Sequence, residues 1–197
     1  MRPIFSAVGL VVFVAVACQP RAGETEGQSA ASATAEPGTV EWKVANALSA
    51  APSEISEAAT VMDWPAEPDA EMTELRAGTN GWTCMPDYAA TPANDPMCLD
   101  ATFLEWAGAW MSRTTPQIEK TGFAYMLQGG SDPSNTDPFA TQPAPGEDWV
   151  KSGPHAMIVV PDPATLEGIP TDPDYGGPFV MWKGTPYAHV MLPVGSN

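Results

Sequence analysis

Two short segments share a pattern that suits metal chemistry: His155-Ala156-Met157 and His189-Val190-Met191. In a strand, residues i and i+2 point to one face. Each histidine then shares a face with its methionine. If the two strands are neighbours, two imidazoles and two thioethers converge. Soft sulfur with imidazole suits copper, Cu(I) above all. The simpler alternative is that methionine fills core space and that the histidines mark strand ends. The sequence leaves both open.

A second constellation lies in Asp132-Pro133-Ser134-Asn135-Thr136-Asp137. Oxygen ligands on a loop suit calcium. The spacing does not fit an EF-hand loop, and Asx-Pro turns give the same composition. The third is aromatic. Seven tryptophans are present; Trp149 borders the same loop and Trp182 lies beside the last expected turn. Exposed tryptophan faces stack on sugars or on a partner's apolar surface. Core packing is the ordinary alternative and is expected for Trp106 and Trp110. The candidate ligand loop is therefore Asp132, Asn135 and Asp137 with Trp149. The motifs GxSxG, HExxH, P-loop and GxGxxG are all absent. Ser131, in Gly130-Ser131-Asp132, is not a nucleophile elbow. Two histidines keep a His-dependent hydrolase open in principle, with nothing in sequence bringing Ser, His and Asp together.

The elements that must position these residues are short, because 22 prolines and 17 glycines punctuate the chain. Glu41–Ala50 reads as a helix ending before Pro52. Ala59–Trp64 reads as a strand. Glu71–Ala77 and Gly81–Met85 read as two strands of a hairpin around Gly78-Thr79-Asn80-Gly81, since Asn-Gly favours tight hairpin turns. The clearest helix signal is Pro96–Arg113. Asp95 is a suitable N-cap, Pro96 suits the first helical position, and Leu99, Phe103, Trp106 and Trp110 make one apolar stripe. Gly122–Gln128 reads as a strand, followed by a long loop at 129–148 whose Ser, Asp, Asn and Pro content opposes regular structure. His155–Val160 reads as a strand with both faces covered. Phe179–Lys183 and Tyr187–Leu192 read as a hairpin across Gly184-Thr185-Pro186. Together these predict one α+β domain over 40–197: a mostly antiparallel sheet with one main packed helix and long Pro/Gly-rich loops.

The chain carries 24 acidic and 8 basic side chains, a formal charge of −16. That field repels nucleic acid and anionic headgroups, so no nucleic-acid partner is expected. It keeps the protein soluble, and it concentrates cations weakly.

The N-terminus MRPIFSAVGLVVFVAVAC has a basic residue, a short apolar run and small residues leading into Cys18. The run is too short to span a bilayer, which needs about 20 apolar residues, and it matches a signal h-region. Ala15-Val16-Ala17-Cys18 resembles the lipobox of bacterial lipoproteins, with Ala15 where leucine is usual. The resemblance implies removal of residues 1–17, lipidation of Cys18 and attachment to the membrane. Gln19, rather than aspartate, after the cysteine implies the outer membrane. Residues 18–39 carry no large apolar side chain after Cys18 and read as a disordered tether, with a typical span of roughly 25 Å. Given lipid on Cys18 and an oxidising compartment, Cys84 and Cys98 remain as a disulfide pair. A bridge there closes a loop of about 15 residues and stabilises by about 3 kcal/mol in the chain-entropy model.

Two classes of function follow. One is an envelope-anchored lipoprotein whose acidic domain binds a ligand or partner. The other is an exported hydrolase-like enzyme with its site near the 129–148 loop. Copper carriage by the two His-x-Met segments is a third reading. Cofactors are expected to be none, with copper and calcium as the alternatives.

Overall fold

The computed structural model of the chain describes residues 35–67 and 70–195. The signal segment 1–17, Cys18 and most of the tether lie outside the described residues.

The ten strands are β1 Thr60–Asp63, β2 Thr73–Arg76, β3 Thr83–Met85, β4 Met97–Leu99, β5 Gly122–Met126, β6 Gly130–Asp132, β7 Val150–Ser152, β8 His155–Val159, β9 Phe179–Met181 and β10 His189–Pro193. The α-helices of the described residues are α1 Val40–Leu48, α2 Ser53–Ser56 and α3 Ala101–Met111, with 3-10 turns at Pro163–Leu166 and Pro173–Tyr175. Eight strands form one sheet in the order β2-β1-β3-β4-β5-β8-β10-β9, and β6 pairs with β7 apart from it. Among the described residues only the β1–β3 pairing is parallel. The fold is α+β with a mostly antiparallel sheet, as expected.

Strand alternation sorts the core. One face carries Met85, Met97, Leu99, Ala124, Met126, Met157, Met181 and Met191, and Phe103 and Trp106 of α3 close over it. The opposite face carries Val61, Cys84 and Cys98 under Ala47 of α1 and Ala50 and Ala51 just after it. Further along, Val180 and Val190 lie under Leu166 of the first 3-10 turn. Both faces of β8 are thus covered, which explains its unbroken apolar run. Cys84 and Cys98 face each other across β3–β4 and are disulfide-bonded, with Cα atoms 4.0 Å apart.

Three expectations need correction. The Asn80-Gly81 turn does not join a hairpin. β1 lies between β2 and β3, because Thr79 N donates to Ala58 O (2.8 Å) and Thr60 N to Trp82 O (2.9 Å), which ties the turn to the chain before β1. The main helix does not begin at Pro96. Met97–Leu99 is strand β4, held on both sides by β3 and β5. The effective cap is Asp100, whose two carboxylate oxygens accept from Phe103 N (2.7 Å) and Phe123 N (2.9 Å). Cys98 therefore sits in a strand, not in a first helical turn. The 129–148 segment is not wholly irregular, since Gly130–Asp132 forms β6 against β7.

Candidate functional site

A cavity of about 550 Å³ opens between the sheet and α3. Its floor is the methionine face, and eight of the chain's ten methionines line it: Met72, Met85, Met97, Met111, Met126, Met157, Met181 and Met191. Its roof is Phe103, Leu104, Trp106, Ala107 and Trp110 of α3. Trp64, Glu67 and Tyr88 also line it.

The sheet register explains how the histidines reach it. Met157 pairs directly with Met191, and His155 pairs with Pro193 across β8–β10. His155, Met157, His189 and Met191 therefore share the cavity face. His155 also pairs with Met126 on β5, and His189 with Met181 on β9. The two histidines stand at opposite ends of a diagonal with the Met157–Met191 pair between them. Each is only 3% exposed.

Trp182 makes one wall. Its φ of 56° is left-handed, a costly conformation for a bulky residue. The surrounding loop holds it there: Trp182 N donates to Asn135 O (2.9 Å) and its Nε1 to Ser134 O (2.9 Å). Trp110 Nε1 donates to Pro138 O (2.8 Å). The first part of the long loop thus fastens two aromatic side chains of the cavity. Trp182 stacks near Trp106 (6.2 Å, 10°) and Trp110 (5.5 Å, 26°), and the rings of Trp106 and Trp182 meet His189 nearly at right angles, with centroids 5.2 and 5.0 Å away.

The polar end is made by Asp95, Ser131, Asp132 and His155. Gly130 lies among them: a Cβ there would fall 2.9 Å from Met126 Cε, 3.6 Å from Asp95 Cβ and 3.9 Å from His155 Cε1. Ser131 is 5% exposed, and neither its Oγ nor His155 Nε2 has a hydrogen-bond partner. Among the described residues, no lysine or arginine lines the cavity. Burial pushes the Asp132 carboxyl up to about 7, aided by the negative charge of Asp95. Burial raises Asp95 to about 6, against the lowering effect of hydrogen bonds from Thr91 Oγ1 and Tyr88 N. Burial likewise holds His155 below its ordinary value, and brings His189 to about 4. Burial thus disfavours the charged form of both imidazoles.

The other loop candidates lie apart from this end. Asp137 is exposed, and its Oδ1 accepts from Phe139 N (2.9 Å), an Asx turn. Asn135 Nδ2 donates to Thr171 O (2.6 Å). Trp149 is half-buried and does not line the cavity. Among the described residues, no three His, Cys, Asp or Glu side chains gather as a metal cluster. Nor is a nucleophile–base–orienter chain assembled. Ser131 Oγ bonds to nothing, and His155 Nδ1 lies 2.7 Å from the Gly153 carbonyl instead of a carboxylate. What the arrangement offers is an apolar, polarisable chamber with polar side chains at one end.

Sequence reading missed Asp95 and most of the methionines. For Met85, Met126 and Met181 the signal was parity, since they fall at alternate positions with other apolar residues of expected strands. Comparison with known family models, with curated proteins and with solved structures finds no match.

Proposed function

We propose that this is an exported ligand-binding protein, anchored by lipid at Cys18, whose domain takes up a small apolar molecule between the sheet and α3. One observation carries the reading: a cavity of about 550 Å³ whose wall is mostly methionine and tryptophan, with a few polar groups gathered at one end. Drug-sized ligands occupy chambers of roughly 300–1,000 Å³ with this polar-to-apolar distribution. Thioether side chains adapt their shape to a guest at little cost. Catalysis is the weaker alternative, because Ser131 and His155 are not joined to each other or to an orienting carboxylate.

The test is uptake of an environment-sensitive apolar fluorophore by the purified chain. Saturable binding is expected, and Ala107→Trp, which adds bulk on the roof without removing a sheet contact, should abolish it while circular dichroism stays native. A folded protein that takes up no apolar probe would overturn the reading.

A second reading has its own support. Each histidine's Nδ1 faces a backbone carbonyl, leaving the Nε2 lone pair for a metal, and each faces a methionine across the sheet: His155 with Met126, His189 with Met181. Cu(I) suits such donors better than zinc does, methionine being a poor zinc ligand. On this geometry copper would occupy two separate His–Met half-sites, not one four-ligand site. Competition with a Cu(I) chelator, using His155→Ala and His189→Ala, decides it: retention lost in either variant supports copper, and no retention by the parent protein removes it.

A further inference from the structure

We infer that the guest carries a hydroxyl group, held at the aromatic end of the cavity between the indole N–H of Trp106 and Nε2 of His189. This rests on the cavity being the seat of an apolar ligand and names the polar group that ligand presents. Four tryptophans line the cavity. Trp64 Nε1 donates to Pro86 O (2.7 Å), Trp110 Nε1 to Pro138 O (2.8 Å) and Trp182 Nε1 to Ser134 O (2.9 Å). Trp106, only 5% exposed, has no such carbonyl among the described residues. His189 Nδ1 lies 3.0 Å from Tyr187 O. A carbonyl only accepts, so Nδ1 carries the hydrogen and Nε2 presents a lone pair. That lone pair meets no donor among the described residues. The unpartnered polar side-chain atoms sealed within the packing of those residues are Ser131 Oγ, Asn135 Oδ1, Ser152 Oγ and His155 Nε2. Trp106 Nε1 and His189 Nε2 are not among them, so both open on the cavity that their residues line.

One donor and one acceptor thus stand together, with ring centroids 5.2 Å apart and planes at 70°. A hydroxyl oxygen serves both at once: it accepts from the indole and donates to the imidazole. An ether or ketone would answer Trp106 and leave the His189 lone pair empty. An ammonium would answer His189 and leave the indole hydrogen empty. Buried polar atoms left without partners are costly. A carboxylate would bring its charge among Trp182, Met181 and Met191, and no lysine or arginine of the described residues lines the cavity to receive it. Burial brings His189 to about 4, which keeps its imidazole an acceptor at neutral pH. The left-handed backbone of Trp182 (φ 56°) carries a ring that stands against His189 nearly at right angles, and strain of this kind gathers at binding sites. The apolar body of the guest then lies over the Met157–Met191 pair, the next step across the floor from His189.

The experiment uses the full chain in metal-free buffer and three uncharged probes of one shape, 2-(2-naphthyl)ethanol, its methyl ether and 2-propylnaphthalene, titrated calorimetrically. The alcohol is expected to bind about fivefold or more tightly than the ether, which cannot donate. His189→Phe and Trp106→Phe should each move the ratio of alcohol to 2-propylnaphthalene affinity about fivefold toward the hydrocarbon. Taking the ratio cancels the change in cavity volume that each substitution brings. If His189→Phe does not fold, Trp106→Phe and the three probes on the parent protein give the same reading. Equal binding of alcohol and ether overturns the hydroxyl inference and leaves the cavity reading standing. An alcohol preference unchanged in the folded variants overturns the assignment to Trp106 and His189. Absence of binding by all three probes, together with failure to take up the apolar fluorophore, overturns both the inference and the cavity reading.

Discussion

His155 and His189 are fastened in the same way: each Nδ1 lies within hydrogen-bonding distance of the carbonyl two residues earlier, 2.7 Å to Gly153 and 3.0 Å to Tyr187. The rings are thereby fixed as Nδ1–H tautomers with Nε2 turned elsewhere. His189 is further confined by the rings of Trp106 and Trp182, which meet it nearly at right angles. Such a ring cannot be protonated without bringing an uncompensated charge into an apolar wall.

The first prediction concerns this histidine and acid. Its folded pKa of about 4 lies below the ordinary 6.5. Between those values the unfolded chain binds the extra proton, so the contribution of His189 to stability is present above 6.5 and is lost as pH falls toward 4. The slope for one whole proton is about 1.4 kcal/mol per pH unit. His189→Gln should be less stable at pH 7, yet should lose less on going from pH 6.5 to 4.5. Urea unfolding at four pH values measures it. Parallel profiles for variant and parent would reject the burial argument.

The carboxyls act with the opposite sign. Asp132 is raised to about 7 from 3.8, so the folded state holds the proton longer than the unfolded state does. Stability is lost as pH rises between those values. Asp132→Asn should therefore be more stable than the parent at pH 8 and close to it at pH 4. In the parent protein the histidine and carboxyl slopes partly cancel over pH 4–6.5, so single variants reveal what the parent profile hides. A variant less stable than the parent at pH 8 would count against this account.

Asp100 joins two elements with one carboxylate, accepting from Phe103 N at the start of α3 and Phe123 N in β5. Asp100→Ala should cost about 1–2 kcal/mol through loss of the helix cap, with a further contribution from the unsatisfied strand N–H. Asp95→Asn, a residue the sequence pattern also marked as a cap, should leave the helix intact. Thermal melts followed at 222 nm compare them. Equal helix loss in both would contradict the assignment of the cap to Asp100.

The errors in reading the helix and the hairpin share a physical origin. Asp95-Pro96 and Asn80-Gly81 are strong local signals, but both lost to pairing across the sheet. Cys98 belongs to a strand because β3 and β5 claim it from both sides. The Asn80-Gly81 turn crosses over because β1 occupies the place between its flanking strands. Periodicity did locate β5, β8, β9 and β10, where apolar runs are bounded by Gly or Pro. It also gave His155 and His189 a common face with their methionines. It could not give Asp95 and Ser131, since their meeting with His155 depends on where a loop returns, and no local pattern encodes that.

The Cys84–Cys98 bridge lies beneath α1, on the face opposite the cavity. Reduction, or Cys84→Ser with Cys98→Ser, should lower stability by about 2–4 kcal/mol. Uptake of the apolar fluorophore should be nearly unchanged below the melting transition. If probe uptake fell while the chain stayed folded, the two faces of the sheet would be coupled more tightly than the layering implies.

Gly122 sets how closely α3 approaches the sheet. A Cβ there would lie 2.7 Å from Phe103 N and 2.9 Å from Val159 Cγ2. The first neighbour is backbone at the start of the helix, and it cannot move without the helix moving. Gly122→Ala should cost about 1–3 kcal/mol, as overpacking in a core does. The helix would have to lift or tilt, carrying Phe103 and Trp106 with it. Because those residues roof the cavity, the variant should bind apolar probes with altered selectivity for size, favouring bulkier ones over the parent's preference. Gly108→Ala on the same helix is the control: a Cβ there meets nothing within 4 Å, so stability should rise slightly through helix propensity. A Gly122→Ala protein with parental stability and an unchanged order of probe affinities would show that the gap between α3 and β5 is not what sizes the chamber.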